Sequence, residues 1–388
     1  MLNILLIIIY LAFISLGLPD AVLGSAWPTM HKELNVHISL AGVCTMVITA
    51  GTVISSFFSG KLISRFGTGK VTAFSVFLTA FALLGIYISS SFIWILLLSI
   101  PLGLGAGAVD SALNNFVAIY YKAKHMNWLH CFWGIGATSG PFIIALYLLK
   151  ESGWRMGYAT IGIIQSILVV FLFLSLPLWK KFELDNNENS EEKSNTKILN
   201  LIKIPGVKST LITFFSYCAM ELTAGLWGSS YLVVTKGVST EEAAKYISLY
   251  YLGITIGRFL SGFLTLKLGN KQMIKMGQIT CILGISILIL PLSINFQLMG
   301  LILIGLGCAP IYPAMLHETP NKFGKEISQK IMGIQMSVAY IGSALVPPLF
   351  GILAGVMGFE MLPFFLLALV ITMYFMSEKT SQLSLEQG

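Results

Sequence analysis

The chain has 388 residues, of which 56% are hydrophobic and only 11% charged, and its formal net charge is +7. Soluble domains carry about 25% charged residues, so this composition excludes the soluble classes and indicates an integral membrane protein. The basic excess does not suggest nucleic-acid binding, because no basic stripe with interleaved aromatics appears; basic residues gather in the cytoplasmic loops of membrane proteins.

A membrane-crossing helix needs about 20 mostly apolar residues. Taken from the N-terminus, such segments fall at 2–29, 38–64, 70–90, 92–121, 126–149 and 155–179. A second set follows at 206–235, 243–268, 273–291, 295–317, 329–355 and 358–377. The first lacks a basic n-region and is far longer than the apolar part of a signal peptide, so it reads as a spanning helix. Its C-terminal part, "GLPDAVLGSAWP", places Asp20 inside the span. A charge at such a depth costs roughly 2.5–3.5 kcal/mol on insertion scales.

The connections alternate in charge. Those after the second, fourth, eighth and tenth spans hold Lys61, Arg65 and Lys70; Lys122 and Lys124; Lys267, Lys271 and Lys275; and Lys322, Lys325 and Lys330. The links "ISSSF" and "LSINF" after the third and ninth carry no charge. The even-numbered links, and with them both termini, are therefore expected in the cytoplasm of a cell-membrane protein. The stretch "KKFELDNNENSEEKSNTK" is polar and aperiodic, as a flexible linker is. The expected organisation is a six-helix bundle over 1–179, a cytoplasmic linker over 180–205, and a second six-helix bundle with a short tail over 206–388.

The halves repeat. Gly60 and Gly262 stand 202 residues apart (262 − 60), as do Gly67 and Gly269, and Gly103 and Gly305. Parallel six-helix repeats are one of the transporter architectures that bind solute between the halves near the midplane. Six plus six spans, a long central loop, and "GKLISRFGTGK" resemble the major facilitator superfamily and its signature loop. Ser64 stands where that signature usually has Asp. The resemblance implies an all-α membrane fold of two six-helix bundles, alternating access, gating by Gly60, Arg65, Gly67 and Gly262, and action as a monomer. More narrowly, the chain is similar to the fucose:proton symporter family, which has an acid in helix 1 and an acid followed four residues later by Asn in helix 4. Asp20, Asp110 and Asn114 match those positions, with Asp where the fucose transporter has Glu. That similarity implies sugar uptake driven by protons, with both acids lining the cavity.

Three acids lie deep in the spans: Asp20, Asp110 and Glu221. Each falls within about 8 Å of its helix midpoint at 1.5 Å per residue. The only deep cation is Arg258. Desolvation favours the neutral form of a carboxyl, so all three acids are candidates for proton coupling. For Asp20 a second reading stays open, that it caps a helix break after Pro19; for Glu221, a salt bridge to another helix. Asn114 lies one turn from Asp110 on the same face. Trp27, Trp227 and Tyr231 read either as the interfacial aromatic belt or as sugar-stacking surfaces beside the acids. Tyr312, at the repeat position of Asp110, and Gln335 are further candidates for substrate contact. His130 and Arg258 read as gate residues at the cytoplasmic side. The small residues of "GATSGP" and "GSALVP" fit close, sliding helix contacts.

The five cysteines lie singly in apolar runs and read as small hydrophobes. No metal-ligand spacing, cofactor motif or catalytic triad is present, and "GLGAG" lacks the Lys-Ser/Thr of a phosphate loop. The expected function is proton-coupled transport of a small polar solute, a sugar or polyol, with the lipid bilayer, protons and solute as partners and no enzyme activity. The alternatives are proton-driven export of amphipathic compounds or drugs, and a sensor or lipid-handling protein that retains the fold.

Overall fold

The computed structural model describes residues 2–121, 123–149, 153–183, 201–265 and 267–385, and among them the secondary structure is helical, with no strands. The helices are α1 (Leu2–Asp20), α2 (Val22–Glu33), α3 (Leu40–Phe66), α4 (Thr68–Tyr87), α5 (Phe92–Tyr120), α6 (Ala123–Leu148), α7 (Gly153–Leu174) and α8 (Leu176–Glu183). Then come α9 (Val207–Lys236), α10 (Thr240–Leu264), α11 (Asn270–Ile289), α12 (Ile294–Phe323), α13 (Lys325–Met357) and α14 (Leu362–Leu385). The expected linker over 180–205 lies outside the described residues from 184 to 200. Every expected span coincides with a helix or, for the first, with the pair α1 and α2.

Among the described residues, eleven spans are long and apolar enough to cross a membrane. The expected seventh span, α9, is 30 residues long but falls short in hydropathy because Ser, Thr, Tyr and Glu interrupt it. Large apolar side chains stand outward on most of the long helices, such as Phe57 (80% exposed), Leu174 (72%) and Val356 (83%). A soluble monomer avoids such continuous apolar surface, whereas lipid accepts it.

The described residues form two compact units, those of 2–183 with 228–248, and those of 201–227 with 249–385. In the first, α1 packs on α6, α3 and α4 on α5, and α4 on α7. Its core holds Ile9 and Phe13 of α1, Val76 of α4, Leu113 and Phe116 of α5, Leu172 of α7 and Trp179 of α8. In the second, α11 packs on α12 and α14, and α12 on α13.

The repeat is visible as packing within each unit. A Cβ on Gly103 would collide with the carbonyl oxygen of Ile48, and one on Gly305 with that of Tyr250. Both glycines and both carbonyls are 202 positions apart. The same backbone approach is thus built twice, and glycine is what permits it. At the signature loop the halves differ. Gly67 joins α3 to α4 at φ +82°, a conformation suited to glycine, whereas Gly269 has φ −71°.

Candidate functional site

The first span is discontinuous at Asp20. Pro19 has no N–H to give to the carbonyl of Ser15 four residues back. The helix breaks at Ala21 (φ −103°, ψ −1°) and resumes with Val22. The side chain of Asp20 is exposed at this break, and its Oδ2 accepts a 2.6 Å hydrogen bond from Nε1 of Trp133 on α6. Around that level α1 and α6 touch backbone to backbone: a Cβ on Gly17, Gly136 or Gly140 would strike the carbonyl of Trp133, Ile14 or Leu18 respectively. The "GATSGP" stripe therefore clamps α6 to the helix that carries Asp20.

Asp110 lies in α5 and is half-buried. Its Oδ1 accepts a 2.9 Å hydrogen bond from Nδ2 of Asn114, which also donates to the Asp110 carbonyl at 3.0 Å. The i, i+4 spacing brings the pair together on one helix face.

In the second unit Glu221 of α9 meets Arg258 of α10, with Oε1 and Nη2 3.6 Å apart and the side chains 15% and 16% exposed. The hydroxyl of Tyr250 donates to the Glu221 carbonyl at 3.0 Å. Glu221 Oε1 and the Tyr217 hydroxyl are both buried beside this ion pair. The ring of Tyr217 lies 6.1 Å from that of Tyr312, whose hydroxyl donates to Sδ of Met336 at 3.0 Å. Glu221, Arg258, Tyr217, Tyr250 and Tyr312 are thus one neighbourhood. Gln335 is fully buried, accepting from Thr319 at 3.1 Å, while its Nε2 has no partner among the described residues.

The candidate aromatics stand elsewhere than a binding surface requires. Trp27 is fully buried, its N–H donates to the Ile38 carbonyl, and its ring lies edge-on to Phe92. Trp227 is also fully buried, bonded to the Pro347 carbonyl at 2.7 Å and packed on Phe350 and Phe359. Tyr231 is 2% exposed under the Lys236 ammonium. These three form interior walls. Trp133, which sequence reasoning passed over, is the aromatic beside an acid. The signal was its spacing: three residues before Gly136, it shares the face that packs on α1. Tyr217, four residues before Glu221, carried the same signal.

A family model described as Major Facilitator Superfamily matches residues 9–347 and 210–382. The chain belongs to the Major Facilitator Superfamily. It is therefore a multi-pass membrane transporter and not an enzyme. Among its curated relatives are the cis,cis-muconate transport protein of Acinetobacter baylyi and the glucose/mannose transporter of Bacillus subtilis. The first is 23% identical, over 89% of this chain and 86% of the relative. The second is 22% identical, over 88% and 86%. Among solved structures, the D-xylose-proton symporter aligns with a TM-score of 0.76 and 14% identity, over 96% of each chain.

Of the candidate gate residues of this superfamily member, Arg258 stands beside an acid, Glu221. Arg65 sits in the exposed last turn of α3, with its guanidinium 5.3 Å from the Phe66 ring. Gly60 and Gly262 each have open space where a Cβ would go. Ser64, in place of the signature Asp, donates to the Lys61 carbonyl at 3.0 Å. His130 is half-buried on α6, edge-on to Phe13 at 5.9 Å. Of the two cations assigned to gating, Arg258 is drawn instead into the Glu221 cluster.

Proposed function

We propose that this chain is a proton-coupled secondary transporter of a small neutral polar solute, a sugar or polyol, working by alternating access in the cell membrane with both termini in the cytoplasm. The observation that carries the reading is Asp110. It is an intramembrane carboxyl whose hydrogen-bonding neighbour is the neutral Asn114. Intramembrane acids mark proton relays and solute pathways, and a carboxyl with a neutral amide partner can gain or lose a proton without breaking an ion pair. Glu221, by contrast, is held opposite Arg258. Asp110 is accordingly the coupling acid, with Asp20 and Asn114 nearer the solute. The narrower resemblance to the fucose:proton symporter family rests on these same three residues. A glucose/mannose transporter among the relatives and a D-xylose-proton symporter among the fold neighbours support this solute class.

The test is uptake by the purified protein in proteoliposomes under an inward proton gradient. D-glucose, D-mannose or D-xylose is expected to accumulate and to alkalinise the outside. Absence of proton-dependent movement of every neutral sugar and polyol tried would sink the proposal.

A further inference from the structure

On the outward face of α4 and α7, small residues lie between large ones. Ala80 of α4 and Ser166 of α7 form a floor, while Phe77, Phe81, Tyr87 and Ile88 stand exposed along α4. The result is a groove of about 520 Å³. Behind it the two helices meet where Leu84 packs against Gly162. The Ser166 hydroxyl turns back to its own helix, donating to the Gly162 carbonyl at 2.7 Å, so the floor makes no polar demand on an occupant.

The groove has the length of one bilayer leaflet. Phe77 stands at the middle of α4 and Ile88 directly follows its last residue. That run covers about 16 Å at 1.5 Å per residue, and half of a 30 Å hydrocarbon core is about 15 Å. A single acyl chain reaching from the membrane surface to the midplane matches this length and polarity.

Fixed charges of both signs mark the end of the groove at the membrane surface. The carbonyl of Ser89, next to Ile88, accepts a hydrogen bond from Nη2 of Arg155 at 3.2 Å, and Nη1 of Arg155 pairs with Oε1 of Glu33. Oε2 of Glu33 accepts from Nε1 of the fully buried Trp154 at 2.6 Å. The pair is thus anchored from below, yet the side chains of Arg155 and Glu33 stay 28% and 46% exposed. A guanidinium suits a phosphate. The carboxylate beside it attracts an ammonium and repels a second negative charge.

We infer that the α4–α7 groove binds one zwitterionic phospholipid, its acyl chain lying along α4 from Ile88 to Phe77 and its phosphate and ammonium groups resting on Arg155 and Glu33.

The experiment titrates the delipidated full-length protein in detergent with dioleoylphosphatidylcholine, dioleoylphosphatidylglycerol or dioleoylglycerol, and counts bound lipid by native mass spectrometry. The zwitterionic lipid should bind about threefold more tightly than either of the others, the scale of one partly exposed charge contact. Ser166→Leu builds into the floor and should weaken binding of all three about tenfold, the worth of two displaced methylenes. Its melting temperature in lipid-free detergent should match the parent's. Phe81→Ala removes an exposed wall without touching the floor and should weaken all three in the same way. Glu33→Gln keeps an acceptor for Trp154 but removes the repulsion, so phosphatidylglycerol should then bind as tightly as phosphatidylcholine. Unchanged lipid binding by both Ser166→Leu and Phe81→Ala would overturn the inference. So would phosphatidylglycerol or dioleoylglycerol binding to the parent as tightly as phosphatidylcholine.

Discussion

Gln165 of α7 donates its side-chain amide to the carbonyl oxygen of Ser15 at 2.7 Å, the carbonyl that Pro19 leaves without its helical partner. The other end of the amide accepts from Thr79 of α4 at 2.7 Å. Gln165 is 1% exposed. A sequence-local defect in the first span is thus repaired by two other helices, and the repair holds the segment that ends in Asp20.

Gln165→Leu should therefore destabilise the first unit by about 1–3 kcal/mol, the cost of leaving a buried carbonyl unsatisfied. Thr79→Val should cost less, because it removes a donor and leaves the Gln165 bond to Ser15 in place. Thermal unfolding of the purified variants in detergent measures both. Equal melting temperatures for Gln165→Leu and the parent would contradict the repair.

The glycine positions divide sharply. Gly103→Ala and Gly305→Ala each press a methyl into a carbonyl oxygen of the facing helix, and overpacking of this kind costs about 1–3 kcal/mol or more. Both should lower the yield of monodisperse protein on gel filtration. Gly60→Ala and Gly262→Ala meet open space and should fold as the parent does, whatever they do to transport.

Eleven of the expected spans were readable because hydropathy is a local property, and α9 was marginal because its polar residues dilute that signal. The Asp110–Asn114 pair was equally readable, since i, i+4 neighbours meet on any helix. Trp27 and Trp227 resisted the same logic. Chain proximity to Asp20 and Glu221 suggested a shared surface, but their indoles turn to the carbonyls of Ile38 and Pro347. The partner that does reach Asp20, Trp133, is 113 residues away; that pairing is set by how α1 and α6 pack. Gly67 and Gly269 make the complementary point: equivalent letters in the repeat adopt different backbone conformations.

The Glu221–Arg258 pair makes a prediction about charge balance. Arg258→Gln strands a nearly buried carboxylate and should destabilise by about 1–3 kcal/mol, less than the 3–5 of a fully buried pair, since each side chain keeps about 15% exposure. The double variant Glu221→Gln, Arg258→Gln should recover part of that loss, because no unpaired charge remains. A double-mutant cycle on melting temperature measures the coupling. Strictly additive losses would show that the two charges do not support each other.

Orientation is tested at the linker. On a cysteine-free background, Ser190→Cys should react with a membrane-impermeant maleimide only after the cytoplasmic face is opened. The lysines that flank the even-numbered links are the reason for that expectation. Labelling from outside intact cells would reverse the topology.

The mechanism is tested at Asp110. Asparagine keeps the shape of the side chain and its ability to bond Asn114, but it cannot change charge. If Asp110 loads the proton, Asp110→Asn should lose accumulation driven by the proton gradient while still exchanging labelled sugar between the two sides, since exchange needs no net proton movement. The pH dependence of exchange should flatten in this variant as well. Asp20→Asn should behave differently: affinity should fall, because the acceptor held by Trp133 loses its charge, and whatever sugar still crosses should do so with the proton. The two readouts, accumulation against exchange and affinity against coupling, separate the roles in one set of vesicles. Undiminished proton-driven accumulation by Asp110→Asn would move the coupling site to another acid. Glu221 would then be tested next, through the fate of its ion pair with Arg258.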